Sequence, residues 1–364
     1  MDCILRSILP IAALLAAVGV TAVHADITVV SWGGVYTKSQ QEAYGKGWEK
    51  RTGEAIRWVD YNGGLDEIRA QVESGDVRWD VVDVFAHEAR IGCREGLFEP
   101  LPRDRFHPAP DGTPMDRELT VTPPNDCVVP NIIWSWLAFY DESRFPGEKP
   151  ASIADFFDLE RFPGRRGISV FPQANIEMAL VADGVDPRRV YEIMDTAEGI
   201  DRAFAKLDTI RDQAAFWSSG IEPIEMVEDG RVVMSTAYNG RVGQAVLTQK
   251  ASFVPIWDGQ LLDVEWFVMV AGTPNRDQAI DFLVHASAPE QQAAQARWIT
   301  YGPMRRSALA IIEASEPWFH TGVAVMPHMP NRAEVMPRTV VSDPRWWAEH
   351  GERIGKRYEA WMKR

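Results

Sequence analysis

The residues Trp32-Gly33-Gly34-Val35-Tyr36 stand between a short apolar run, DITVV, and a polar segment, TKSQ. Their types suit contact with a bound molecule more than the making and breaking of bonds. Glycine has no Cβ, so its backbone can turn sharply or come close to another group. Aromatic rings beside such a turn give flat apolar walls with a polar edge. In α/β proteins, ligands bind beyond the carboxyl ends of strands. The stretch therefore reads in one of two ways. Either Trp32, Gly33, Gly34 and Tyr36 wall a ligand, or they form a tight strand-to-helix turn with two partly buried aromatics.

Other chemistry finds less support. The chain has no G-x-S-x-G and no H-E-x-x-H, so neither a serine-hydrolase elbow nor a zinc-protease helix is indicated. Acids are plentiful, and pairs of them arise by chance, so an exported hydrolase using paired carboxylates is a minor alternative. No two tyrosines are adjacent and the seven histidines are scattered, which argues against a ferric receptor with phenolate ligands. No metal and no other cofactor is expected. The net charge of −14 argues against nucleic acid as a partner, because phosphate binding needs clustered Lys and Arg. It is compatible with a cationic ligand.

The elements that must position these residues alternate between strand and helix. ITVVSW reads as a strand, YTKSQQEAYGKGWEKRTG as a helix stopping at Gly53, and AIRWVDYNGG as a second strand. LDEIRAQVESGD is a helix, WDVVDVFA a buried strand, and EARIGCREGLFEPLP a helix and turn. Such alternation predicts a parallel sheet with covered faces. Beyond a Pro-rich loop, NIIWSWLAFYD is a long apolar strand. FVPIWDGQLLDVEWFVMVAGTPN reads as two strands around Asp258-Gly259. RDQAIDFLVHASAPEQQAAQARWIT is a helix, a break and a second helix with Pro289 in its first turn. The tail WWAEHGERIGKRYEAWMKR is an amphipathic helix.

The first 25 residues combine Arg6, an apolar run from Ile8 to Val20, and Val23-His24-Ala25 ahead of Asp26. That is the pattern of a secretory signal peptide cleaved after Ala25, and it is short for a membrane span. Its removal leaves Cys93 and Cys127, and an even pair in an exported protein reads as one disulfide, with two buried thiols as the alternative.

Five segments carry a resemblance: VVSWGGVY, WDVVDVFAHEARIGCREGLFEPL, VVMSTAYNGRV, PNRDQAIDFLVHASAPEQQAAQARWITYGPMRR and RWWAEHGERIGKRYEAWM. In this order and spacing the chain resembles the periplasmic substrate-binding proteins of ABC transporters, and among them the spermidine/putrescine-receptor branch. The resemblance covers the whole mature chain. It implies an α/β fold of the two-lobe, type II periplasmic-binding-protein kind with the ligand cleft between the lobes. Lobe one would hold residues 26–134 and 266–306, and lobe two residues 135–265 and 307–364. It further implies a monomeric periplasmic receptor, not an enzyme. Such a receptor captures a small amine-bearing solute, a polyamine such as putrescine or spermidine, and delivers it to a membrane permease. A receptor that signals to a sensor kinase is the other possible output.

A polyamine needs aromatic faces for its methylenes and cation–π contact, and carboxylates for its ends. The resemblance assigns the aromatics to Trp32, Tyr36 and Tyr238, and an acid to Glu265 with Asp263 and Trp266 beside it. It adds Tyr301 before a Gly-Pro turn, and Trp346 or Trp347 where the C-terminal helix meets the cleft. Asp83, at the end of WDVVD, either contacts ligand or caps the next helix. Two features depart from the polyamine pattern. Phe171-Pro172-Gln173-Ala174 stands where polyamine receptors carry paired acids, the nearest acid being Glu177. Arg241 follows Tyr238-Asn239-Gly240, and an arginine in a cleft invites a carboxylate. The alternative ligand is therefore a zwitterionic ω-amino acid, unless Arg241 pairs internally with Asp263 or Glu265.

Overall fold

The computed structural model describes residues 27–364, and the expected signal peptide lies outside the described residues. Strands Ile27–Ser31 (β1), Ile56–Asp60 (β2) and Val81–Phe85 (β3) alternate with helices as expected, and β1 pairs in parallel with both neighbours. Every residue of β1 is buried. This is the mark of a parallel strand covered on both faces, and it explains why ITVV carries no polar alternation. The helical stretch from Gly34 to Thr52 is continuous through a π-helical segment, Gln41–Gly45.

The second half of the chain adds Val128–Asp141 (β4), Arg166–Ser169 (β5), Ala214–Trp217 (β6), Met234–Tyr238 (β7) and Phe253–Met269 (β8). One sheet runs through the molecule in the order β2-β1-β3-β8-β4-β7-β5-β6. Its two ends are parallel, but the middle is antiparallel: β3 with β8, β8 with β4 and β4 with β7. Two short strands, Gly302–Pro303 (β9) and Val340–Val341 (β10), pair with β4 and β8.

The expected break at Asp258-Gly259 is a bend within one strand. β8 is 17 residues long, and both of its halves pair with β4, with a register shift between Trp136 and Ala138. Gly259, at φ 74°, supplies the left-handed backbone that the bend needs. Asp258 accepts hydrogen bonds from the Ile153 amide and from Arg338 instead of forming a turn. β6 was not evident in the sequence, because AAFW is too short to show a period.

Two hydrophobic cores flank the crossing strands. One gathers Val29, Val30, Val82, Val128, Val129, Val264, Phe267 and Phe282. The other gathers Leu137, Phe139, Ile168, Met178, Leu207, Leu261 and Trp361. β4 and β8 each pass from one core to the other. A smaller cluster packs Ala308, Ile312 and Phe319 on Ala293 and Ala296. The C-terminal helix, Pro344–Met362, packs in the second core through Trp361 and touches the helix Ala86–Arg94 of the first half. No helix among the described residues is long and apolar enough to cross a membrane.

Cys93, on the helix Ala86–Arg94, is bonded to Cys127, which directly precedes β4, with their Cα atoms 6.0 Å apart. Replacing both by serine is expected to cost about 2–4 kcal/mol in chemical denaturation. Thiol labelling of the unfolded, unreduced protein should find neither Cys93 nor Cys127 reactive.

Candidate functional site

Successive side chains of a strand point to opposite faces, so every second residue shares one. On β8, one face carries Leu261, Asp263 and Glu265. On β3 it carries Asp83 and Phe85, and on β4 it carries Ile132, Trp134 and Trp136. The register aligns them: Phe85 lies opposite Glu265, Glu265 opposite Ile132, Asp263 opposite Trp134, and Leu261 opposite Trp136. Trp136 in turn lies opposite Tyr238 of β7. A single row thus leads from carboxyl groups through indoles to a phenol. Trp266 falls on the other face of β8 and is buried in the first core, so the fold does not bring it to this row.

The helix that follows Gly33-Gly34 sends Tyr36 onto the acidic end of the row. Its hydroxyl lies 2.6 Å from Asp83 Oδ2 and 2.8 Å from Glu265 Oε2, and it accepts from Asn131 Nδ2 at 3.0 Å. Asn131 is the extra residue where the register of β4 shifts between Pro130 and Ile132, a bulge that turns its amide toward the acids. Asn131 Nδ2 and Gln40 Nε2 also donate to Asp83 Oδ2, at 2.7 and 2.8 Å. One phenolic proton cannot serve two carboxylates, so a second proton is needed. Glu265 favours holding it, because its carboxyl is pushed well above the usual range by burial and by the adjacent Asp83 charge. Burial also raises Asp83, to about 7, although Tyr36, Gln40 and Asn131 favour its charged form. Asp263 is raised by burial as well, and its Oδ2 accepts from Gln173 Nε2 at 2.8 Å. Gln173 therefore meets an acid where a second acid would repel it.

At the other end, the Tyr238 ring sits 4.5 Å from Trp136, 5.3 Å from Trp134 and 5.7 Å from Trp217, centroid to centroid. Tyr301 contacts Tyr36 edge-on at 5.4 Å, and a Cβ on Gly240 would come within 2.4 Å of its ring. Arg241 lies in the first turn of the helix Asn239–Gln249. Its nearest polar contact is Nη2 to the Gly33 carbonyl at 3.5 Å, and it forms no ion pair among the described residues. The internal pair with Asp263 or Glu265 is therefore not made. Gly33 and Gly34 adopt φ of 77° and 59°, and a Cβ at Gly34 would stand 3.1 Å from Arg241 Nη1. The two glycines thus meet both a backbone need and a close approach. Trp32 stacks obliquely on Phe85 at 4.3 Å and on Tyr61 at 4.8 Å.

Two expected residues lie apart. Trp347 donates through Nε1 to Glu177 Oε1 at 2.8 Å and to the Tyr191 hydroxyl at 3.1 Å, inside the second core. Trp346 donates to Asp195. Five residues of the cluster were not singled out in the sequence: Gln40, Asn131, Trp134, Trp136 and Trp217. The one visible signal was the Trp-x-Trp spacing in NIIWSWLAFYD, for Trp134 and Trp136, since it matches the Asp-x-Glu spacing of Asp263 and Glu265. A surface recess of about 660 Å³ beside Arg51, His107 and His285 borders none of these residues.

The buried acids make stability depend on pH. Unfolded carboxyls titrate near 4, whereas Asp83 and Glu265 hold their protons to higher pH in the folded chain. The folded state therefore binds more protons, and these groups lower stability as pH rises from about 4 through the folded values. Glu265→Gln, which cannot ionise, is expected to flatten this slope and to add ~1–2 kcal/mol to the ligand-free protein at about pH 8. Urea unfolding between about pH 5 and pH 8 checks it; an unchanged slope would assign the effect to another group.

Comparison with known proteins bears on the whole chain. Residues 43–327 match the model of the family described as bacterial extracellular solute-binding protein. The chain is 34% identical over 339 residues to the gamma-aminobutyric acid-binding protein of Pseudomonas aeruginosa, covering 93% of this chain and 91% of that one. It is similar to the solved structure of the binding protein MotA of A. tumefaciens B6 in complex with glucopine. There the identity is 27% and the TM-score 0.80, over 93% of this chain and all of the other. A spermidine/putrescine ABC transporter substrate-binding protein of Streptococcus pneumoniae shares only the fold, at 14% identity and a TM-score of 0.67, over 93% and 99% of the two chains. The expected two-lobe α/β binding-protein fold stands, while the placing in the polyamine branch reduces to that likeness of fold. The chain belongs to the bacterial extracellular solute-binding proteins, a family of receptors for ABC transport and not of enzymes.

Proposed function

We propose that this receptor captures a zwitterionic, amino-acid-like solute, an ω-amino acid of the GABA kind, and hands it to an ABC permease. The carrying observation is Arg241, a half-buried guanidinium with no acid partner among the described residues, facing the same aromatic group as three buried carboxyls. On this reading the ammonium end is held by Asp83, Glu265 and Asp263, with Tyr36 orienting the first two. The methylenes lie against Trp134 and Tyr238, and the carboxylate meets Arg241 as a charge-assisted pair. The relatives named for gamma-aminobutyric acid and glucopine support a solute of this class. A polyamine, the other reading, would use the same acids, but its second ammonium would face Arg241.

Calorimetry with 4-aminobutanoate and 1,4-diaminobutane separates the two. Arg241→Ala is expected to weaken 4-aminobutanoate by roughly 2–5 kcal/mol, the usual loss on truncating one partner of a desolvated charge pair. It should leave the diamine unchanged or improved. Equal affinity of variant and wild type for the amino acid would count against the reading. Glu265→Gln should weaken both compounds, because each presents an ammonium.

A further inference from the structure

Resting on the amino-acid reading, we infer that Trp136 and Trp217 donate two indole N–H hydrogen bonds to the acceptor end of the solute, beside Arg241. They thereby select a carboxylate there over a second ammonium.

Ten of the fourteen indoles of this chain fall into two sets. Trp48, Trp318, Trp346, Trp347 and Trp361 each give their Nε1 proton to a carboxylate or a carbonyl. Trp32, Trp134, Trp136, Trp217 and Trp266 are the described tryptophans whose buried Nε1 has no acceptor. A buried donor without an acceptor is destabilising and uncommon. Trp266 belongs to the first core, but the other four gather around the row that ends at Tyr238. Trp134 lies opposite Asp263, at the acidic end. Trp136 and Trp217, only 3% and 1% exposed, lie at the far end, their rings 5.6 Å apart.

Arg241 converges on the same place. Tyr238, which both indoles touch, precedes the helix turn that carries Arg241. Gly220, three residues beyond Trp217, closes the group, because a Cβ there would lie 3.3 Å from both Arg241 Nε and the Tyr238 ring. An indole nitrogen can only donate, and so can a guanidinium. A carboxylate brought here accepts from all of them, whereas an ammonium would face the guanidinium charge and find no acceptor on Arg241 or on either indole nitrogen.

The test is calorimetry on Trp136→Phe and Trp217→Phe, which keep a ring and remove the donor. Each is expected to weaken 4-aminobutanoate by roughly five- to fifty-fold, with the ligand-free melting temperature held or raised. Any affinity for 1,4-diaminobutane should be unchanged or higher. In the wild type, the indole ¹H–¹⁵N signals of both residues should move downfield with 4-aminobutanoate, a readout that requires no variant. Wild-type affinity for the amino acid in both variants, equal weakening of both compounds, or indole signals that stay in place would each overturn the inference. Failure of the wild type to bind 4-aminobutanoate or any longer ω-amino acid is a different result, and it would remove the amino-acid reading itself.

Discussion

A single phenolic hydroxyl between two buried carboxyls sets the terms for the rest of the site. Tyr36 reaches both Asp83 and Glu265, and its one proton cannot satisfy both. Around them the chain places neutral donors, Gln40 and Asn131, and no lysine or arginine among the described residues pairs with either acid. Burying carboxylates without a cation is costly, and burial with the neighbouring Asp83 charge pushes Glu265 toward its neutral form. On the function proposed, the solute's ammonium takes that role. The site is then least comfortable when empty at high pH, a cost to stability in exchange for a strong demand for positive charge.

The crossing strands carry this arrangement. β4 and β8 pass between the two cores and pair with each other over most of their length. Residues two apart on each strand therefore fall into one row that spans both halves of the molecule. The first half contributes Asp83 and Tyr36, and the second contributes Gln173 to Asp263 and Tyr238 to the indoles. A receptor that must respond to a solute gains from such a frame, because any movement of one half against the other changes contacts at both ends of the row.

Much of this was legible in the chain. The alternation of strand and helix through residue 94, the helix 276–286 followed by Pro289, and the C-terminal helix all follow from short-range patterns. So does the disulfide, which rests on an even cysteine pair in an exported chain. The first loop declared itself because only glycine adopts the backbone of residues 33 and 34 without strain and leaves room for Arg241. Trp347 shows the opposite case: an indole near a cleft by position, but committed to buried Glu177 by packing that no local pattern reveals.

The sequence by itself determined the elements, the receptor class that their order resembles, and the chemical inventory of aromatics, acids and one intrusive arginine. Tertiary structure alone decided which of these meet. Asp83 and Glu265 lie 182 positions apart, and only the pairing of β3 with β8 brings both to the Tyr36 hydroxyl. Glu265 and Trp266 are adjacent in sequence, yet the two-residue period of a strand sends one to the site and the other to the core. Trp134 and Trp136 read as strand filler until the register of β4 set them opposite Asp263 and Tyr238. Period is a local property of the backbone, but register depends on hydrogen bonds between segments far apart in the chain.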